Sequence, residues 1–207
     1  KLKVGFGIDR DLANLVALRV TLGADVLLMA DANQAWRLEQ ATEIVPRLAQ
    51  FDLQWLEEPV RADAPWSDWR ALATRVHIPL AAGENLAGQV TFDDALRAKV
   101  LAVVQPDIAK WGGFTGCLPV AREILGAGLR FCPHYLGGGV GLVASAHLLA
   151  AVGGDGMLEI DANDNPLRTL TCGSLAEVEN GTTLLTNAPG LGVTPDLAAL
   201  RPFSVAL

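Results

Sequence analysis

With 207 residues, 51% of them hydrophobic and 19% charged, the chain is long enough to bury one sizeable core or two, which excludes intrinsic disorder. Sixteen Lys and Arg against 23 Asp and Glu leave a net charge of −7, and no basic run is present to neutralise a phosphate backbone, so nucleic acid is not an expected partner. The longest apolar stretch, 140–152, is interrupted by His147 and too short to cross a bilayer, and Lys1-Leu2-Lys3 does not open a signal peptide. A soluble, cytoplasmic protein without a membrane partner is expected.

Short apolar runs at 2–5, 25–29, 53–56, 78–81, 102–105, 129–132 and 157–160 read as seven strands in chain order. Helical patterns separate them. In 11–22, Leu12, Leu15, Val16, Arg19 and Val20 recur at helical spacing, and 36–48 is opened by Asn33 as its expected cap. Strands alternating with helices predict an α/β fold with a parallel sheet. Beyond Asp161 the texture changes to turn signals, Asn165-Pro166, Glu179-Asn180-Gly181 and Pro189-Gly190-Leu191-Gly192, between short runs. Residues 1–161 are therefore expected to form the catalytic unit and 162–207 a β-rich extension. Cys117, Cys132 and Cys172 are odd in number and without a C-x-x-C, which fits small buried hydrophobes better than a disulfide framework or a zinc site.

An ionisable residue stands at the C-terminal end of each expected strand: Lys3, Asp31, Glu57, Glu84, Asp107, His134 and Glu159, at intervals of 28, 26, 27, 23, 27 and 25. One strand, one loop and one helix per interval is the period of a (β/α) barrel, in which catalytic groups gather at one face. Any one of these carboxylates alone would read as a solvated loop charge; seven ionisable residues in phase do not. Asp31, Glu57 and Glu84 follow successive strands, and three converging carboxylates need a compensating cation. Oxygen-only ligation suits Mg²⁺, with Mn²⁺ as the alternative, rather than zinc.

Lys1 and Lys3 are two apart on a strand and point to one side, where two ammonium groups disfavour each other and one is driven toward the range of a general base. Asp107 and His134 end consecutive strands and can pair so that the carboxylate fixes the imidazole tautomer. His77, before a strand, and His147, in a helix, read as structural; Lys110 reads as charge-balancing.

With those residues in hand, the chain resembles the barrel of the enolase superfamily, in its mandelate racemase-like group. The matching stretches are Lys1-Leu2-Lys3, Asp31-Ala32-Asn33, Trp55-Leu56-Glu57-Glu58-Pro59, Gly83-Glu84-Asn85, Gln105-Pro106-Asp107, Lys110-Trp111-Gly112-Gly113, His134, Glu159 and Pro189-Gly190-Leu191-Gly192. The resemblance implies a TIM-type (β/α)7β barrel, here lacking its first strand and helix and the N-terminal α+β capping domain. It implies Mg²⁺ on Asp31, Glu57 and Glu84, and Lys3 as one base, perturbed by Lys1, which contacts the substrate carboxylate. It further implies His134, paired with Asp107, as the acid or base on the opposite face, and Glu159 as a hydrogen-bond donor to the developing enediolate. Asp107 stands where the muconate lactonizing enzyme-like group has a lysine, which favours the mandelate racemase side. Family members often form oligomers, so a homo-oligomer is expected.

The implied reaction is removal of the proton α to the carboxylate of a small hydroxy acid. Dehydration of an acid sugar to a 2-keto acid is the leading branch and racemisation or epimerisation the alternative. Two readings of other classes remain at this point. Gly139-Val140-Gly141-Leu142-Val143-Ala144 fits a G-x-G-x-x-A dinucleotide turn, although glycines for close helix packing explain it as well. A truncated, non-catalytic metal-binding barrel is the other.

Overall fold

Strands buried on both faces, and helices that lay apolar side chains against them, set the architecture of the chain, whose computed structural model describes residues 1–205. Six short strands, β1 (Leu2–Lys3), β2 (Leu28–Asp31), β3 (Leu53–Glu57), β4 (Leu80–Ala82), β5 (Val103–Val104) and β6 (Arg130–Phe131), form one sheet in sequence order, and every neighbouring pair is parallel. Between them run α1 (Ile8–Leu22), α2 (Leu38–Leu48), α3 (Trp66–Ala73), α4 (Gln89–Ala98) and α5 (Gly113–Gly126), and α6 (Gly139–Val152) follows β6. This is the expected parallel α/β succession.

The period of two sorts the strand side chains between two environments. Leu56 joins the large core between sheet and helices with Leu28, Leu80, Trp69, Phe92 and Phe131, whereas Trp55 points to the other face and packs with Ala81, Val103 and Cys132. Glu57, two residues after Trp55, therefore also faces the barrel interior, at the rim where the strands end. The same parity puts Lys1 with Lys3 and Met29 with Asp31.

Four expectations are corrected. The run 157–160 joins no ladder: Met157 N–H donates to Cys132 Sγ at 3.4 Å rather than to a carbonyl, and Gly156 lies so close over the Phe131 carbonyl that a Cβ would stand 1.9 Å from it. The second strand begins at Leu28 instead of residue 25, because the Arg19 guanidinium gathers the carbonyls of Gly23, Ala24, Val26, Phe51 and Asp52 and holds 23–26 as a turn. Asn33 does not cap α2. It adopts a left-handed φ of 43°, and Arg37 takes the cap position, its N–H donating to Gln40 Oε1 at 3.1 Å.

The fourth correction concerns the C-terminal extension, which is not β-rich. It holds α7 (Pro166–Thr169), α8 (Leu197–Leu200), two 3₁₀ turns and, among the described residues, one isolated bridge between Glu179 and Thr182. Hydroxyls take over from ladders: Ser174 Oγ donates to Leu184 O at 2.6 Å and Thr183 Oγ1 to Ser174 O at 3.2 Å. The extension packs through Cys172, Leu175, Leu185, Leu191 and Val193 onto Tyr135, Leu142, Val143, Ala146 and Leu158, forming a second small core. No described helix is long and apolar enough to cross a membrane.

Candidate active site

Sheet register aligns the first three groups. Lys3 is the partner of Asp31 across β1 and β2, and Asp31 is the partner of Glu57 across β2 and β3, so all three emerge from one row at the C-terminal rim. Glu84, Asp107 and His134 follow two, three and three residues past the ends of β4, β5 and β6. Lys3 Nζ donates to Asp31 Oδ2 at 2.5 Å. Lys1 Nζ donates to both oxygens of Glu57, at 2.9 and 2.8 Å, and stands 3.5 Å from Asp31 Oδ2 and 2.6 Å from Glu159 Oε1. Burial alone would lower the Lys1 pKa, but the charges of Glu57 and Glu159 outweigh it and raise it, so Lys1 is the lysine held charged. Lys3 has a half-exposed side chain and is the one open to solvent.

The other side of the mouth is built on His134. Its Nδ1 lies 2.7 Å from Asp107 Oδ2, its Nε2 2.6 Å from Glu84 Oε2 and 4.0 Å from Glu159 Oε2. Burial opposes the charge, yet the hydrogen bonds to Asp107 and Glu84 prevail and push the imidazole up to about 9. Both ring nitrogens are then donors. Glu84 is correspondingly held well below the usual carboxylate range: burial opposes this, and the His134 hydrogen bond and charge overcome it. Asp107 is lowered as well, against its own burial, by His134 and by the Ala109 N–H. Glu159 touches Lys1 with one oxygen and faces His134 with the other, closing the ring of ionisable groups between the first strand and the segment beyond the last. All eight residues singled out from the sequence thus reach one mouth. His77 is exposed in the turn before β4 and His147 lies in α6, both away from it.

The enolase C-terminal domain-like family model matches residues 1–199. The chain belongs to the enolase superfamily. It is 33% identical to D-galactarolactone cycloisomerase of Agrobacterium fabrum over 98% of this chain and 56% of that protein. A crystal structure titled mandelate racemase/muconate lactonizing enzyme, from Bordetella bronchiseptica, superposes with a TM-score of 0.93 at 58% identity, covering 97% of this chain and 56% of that one. L-talarate dehydratase from Polaromonas, solved with Mg and L-glucarate, superposes with a TM-score of 0.80 at 30% identity, covering 96% of this chain and 53% of that one. The chain spans about half the length of the curated relatives it matches.

Enolase-superfamily structures similar to this one include magnesium-bound enzymes. Here, among the described residues, no three acid, thiol or imidazole groups already stand as a cation cage; ammonium groups and the His134 imidazole engage the carboxylates instead. The donor set nevertheless fits a hard divalent cation in kind. Asp31, Glu57 and Glu84 are buried oxygen donors at or just past the ends of β2, β3 and β4. Burial pushes Glu57 up despite Lys1, with Asp31 adding to the rise, and burial together with Glu84 pushes Glu58 up to about 7.

Several supporting residues escaped the sequence reading. Gln105 Nε2 donates to Glu57 Oε2 at 2.8 Å, and Trp55 Nε1 reaches the same oxygen at 3.4 Å. Asn85 Nδ2 bridges Glu58 Oε2, at 2.7 Å, and Glu84 Oε1, at 3.0 Å. Buried Asp11 accepts from the N–H groups of Gly5 and Phe6 at 2.8 and 3.2 Å, tying down the turn after Lys3. Strand parity was a usable signal for Gln105, two after Val103, whereas nothing local marks Asp11. Gly83, before Glu84, is required: its φ is +149°, and a Cβ would lie 2.5 Å from Gln105 N. The glycines of the G-x-G-x-x-A run serve packing. A Cβ on Gly139 would strike Cys172 N, and one on Gly141 the Tyr135 ring, each at 2.3 Å.

Proposed function

We propose that the protein abstracts the α-proton of a small hydroxy-carboxylate and dehydrates an acid sugar to its 2-keto acid. The observation that carries this reading is the pairing of two proton-transfer groups across one mouth: solvent-open Lys3 on one side and a doubly hydrogen-bonded His134 on the other, with Lys1 and Glu159 between. Relatives named as arabinonate dehydratase and L-talarate/galactarate dehydratase support the choice of substrate class.

Lys3 takes the α-proton, and the electron pair moves onto the substrate carboxylate as an enediolate. The Lys1 ammonium, kept charged by its carboxylate partners, lies beside that developing charge. Glu159, 2.6 Å from Lys1 Nζ, flanks the same charge. The electron pair then returns to form the C–C double bond of an enol as the β-hydroxyl leaves, and His134, an imidazolium at neutral pH, gives that hydroxyl its proton so that it departs as water. The enol ketonises to the 2-keto acid. Mg²⁺ held by Asp31, Glu57 and Glu84 would supply Lewis-acid neutralisation of the carboxylate oxygens. Reprotonation of the enediolate by His134 from the opposite side gives epimerisation instead, and the same two groups serve that second reading.

The test is a screen of aldonates and aldarates with Mg²⁺ for 2-keto acid formation, with Lys3→Ala and His134→Ala as controls. Turnover of one acid sugar, lost in both variants, is the expected result. Epimer formation without keto acid selects the second reading, and turnover surviving in both variants overturns the assignment of the two groups.

A further inference from the structure

We propose that Tyr135 and Asn165 are positioning residues for His134, so that the segment beyond Asp161 governs the His134 half of the proton chemistry and leaves the Lys3 half alone. The inference rests on the function proposed above. His134 sits in the loop between β6 and α6, followed closely by Gly137-Gly138-Gly139, a run with the greatest backbone freedom a chain can have. A catalytic imidazole on such a loop needs its backbone fixed from outside.

Two contacts do this. The buried Tyr135 hydroxyl donates to Gly138 O at 2.6 Å, spanning the glycine run, while its ring lies against Gly141, where no side chain fits. Asn165 Nδ2 donates to Gly137 O at 3.2 Å, and its Oδ1 accepts from Arg168 N at the start of α7, which fastens the loop to the extension. The extension is in turn pressed onto the first turn of α6, with the backbone of Thr171 and Cys172 filling the space a Cβ on Gly139 would need. Tyr135 also belongs to the second small core, together with Cys172, Leu175 and Leu158, the neighbour of Glu159. That core holds both groups on the His134 side of the mouth. Lys3 ends β1 and Lys1 immediately precedes it, beside Leu2 and Val4, which pack in the main core.

The two sides can be read separately, because opposite configurations at C2 present the α-proton to opposite faces. The full protein and its Tyr135→Phe and Asn165→Asp variants are incubated in D₂O with Mg²⁺ and C2-epimeric aldonates: gluconate and mannonate, galactonate and talonate, arabinonate and ribonate. Exchange at C2 is followed by NMR, and His134→Asn marks which epimer His134 serves. Tyr135→Phe keeps the ring and removes only the hydroxyl; Asn165→Asp keeps the α7 cap and removes only the donor to Gly137. Each variant is expected to slow exchange of the His134-served epimer about 10- to 100-fold, with the Lys3-served epimer within about twofold of wild type. Amide hydrogen exchange at 135–141 should accelerate in both variants while that of β1 stays unchanged. Equal losses on both epimers, or unchanged rates and amide protection, would overturn the proposal. If the wild-type protein exchanges no aldonate, the amide measurement alone decides whether Tyr135 and Asn165 fix the loop, and the function proposed above fails only if no aldonate or aldarate yields a 2-keto acid either.

Discussion

The two sides of the mouth are held by different means. Lys3, Asp31 and Glu57 sit in consecutive parallel register on β1, β2 and β3, so the sheet that builds the core also spaces the groups. His134 and Glu159 sit on irregular segments beyond the last ladder, positioned by side-chain bonds and by a small second core to which the C-terminal extension contributes. The first arrangement is rigid because breaking it means breaking the fold. The second can be loosened without unfolding the protein.

Several substitutions sharpen that contrast. Lys3→Ala should produce the largest effect, an activity loss of about 10²- to 10⁴-fold with little change in melting temperature, since the side chain is half exposed; steady-state kinetics beside a thermal melt separates the two. Leu56→Ala, in the main core behind Glu57, should cost about 2–5 kcal/mol in denaturant unfolding. Asp11→Ala should cost about 1–3 kcal/mol by the same measurement, because the Gly5 and Phe6 amides lose their acceptor, and it should lower activity through the turn that follows Lys3. His147→Gln alters one 3.2 Å contact to Leu191 O and should change stability by about 1 kcal/mol or less with turnover intact. An Asp11 variant with full activity, or a His147 variant without it, would break the division between the two regions.

The same contrast explains what the sequence made legible. The strand-borne groups follow from parity and spacing: once 53–57 is a strand, Trp55 and Glu57 must share a face, and Asp31 meets Glu57 because consecutive parallel strands align. Strand ends were less legible because Arg19, distant in sequence from Phe51 and Asp52, determines where β2 begins. The segment 157–160 has the apolar composition of a strand, but its Met157 amide finds a sulfur acceptor in place of a ladder partner. In the extension, turn signals were visible, while the hydroxyl-to-backbone bonds that replace a sheet depend on the final packing of Ser174 against Leu184. His134 and its Asp107 partner were found from their spacing. Tyr135, next in sequence, acquires a role only when Gly138, Gly141 and the extension close around it.

Whether successive strands deliver Asp31, Glu57 and Glu84 to one divalent cation can be seen by anomalous diffraction from crystals soaked in Mn²⁺. A single strong peak ligated by oxygens of all three carboxylates is expected, with the Lys1 and Lys3 ammonium groups displaced from the oxygens the metal takes. A peak elsewhere, or a structure in which both lysines keep Glu57 and Asp31 while no metal enters at millimolar concentration, would contradict it.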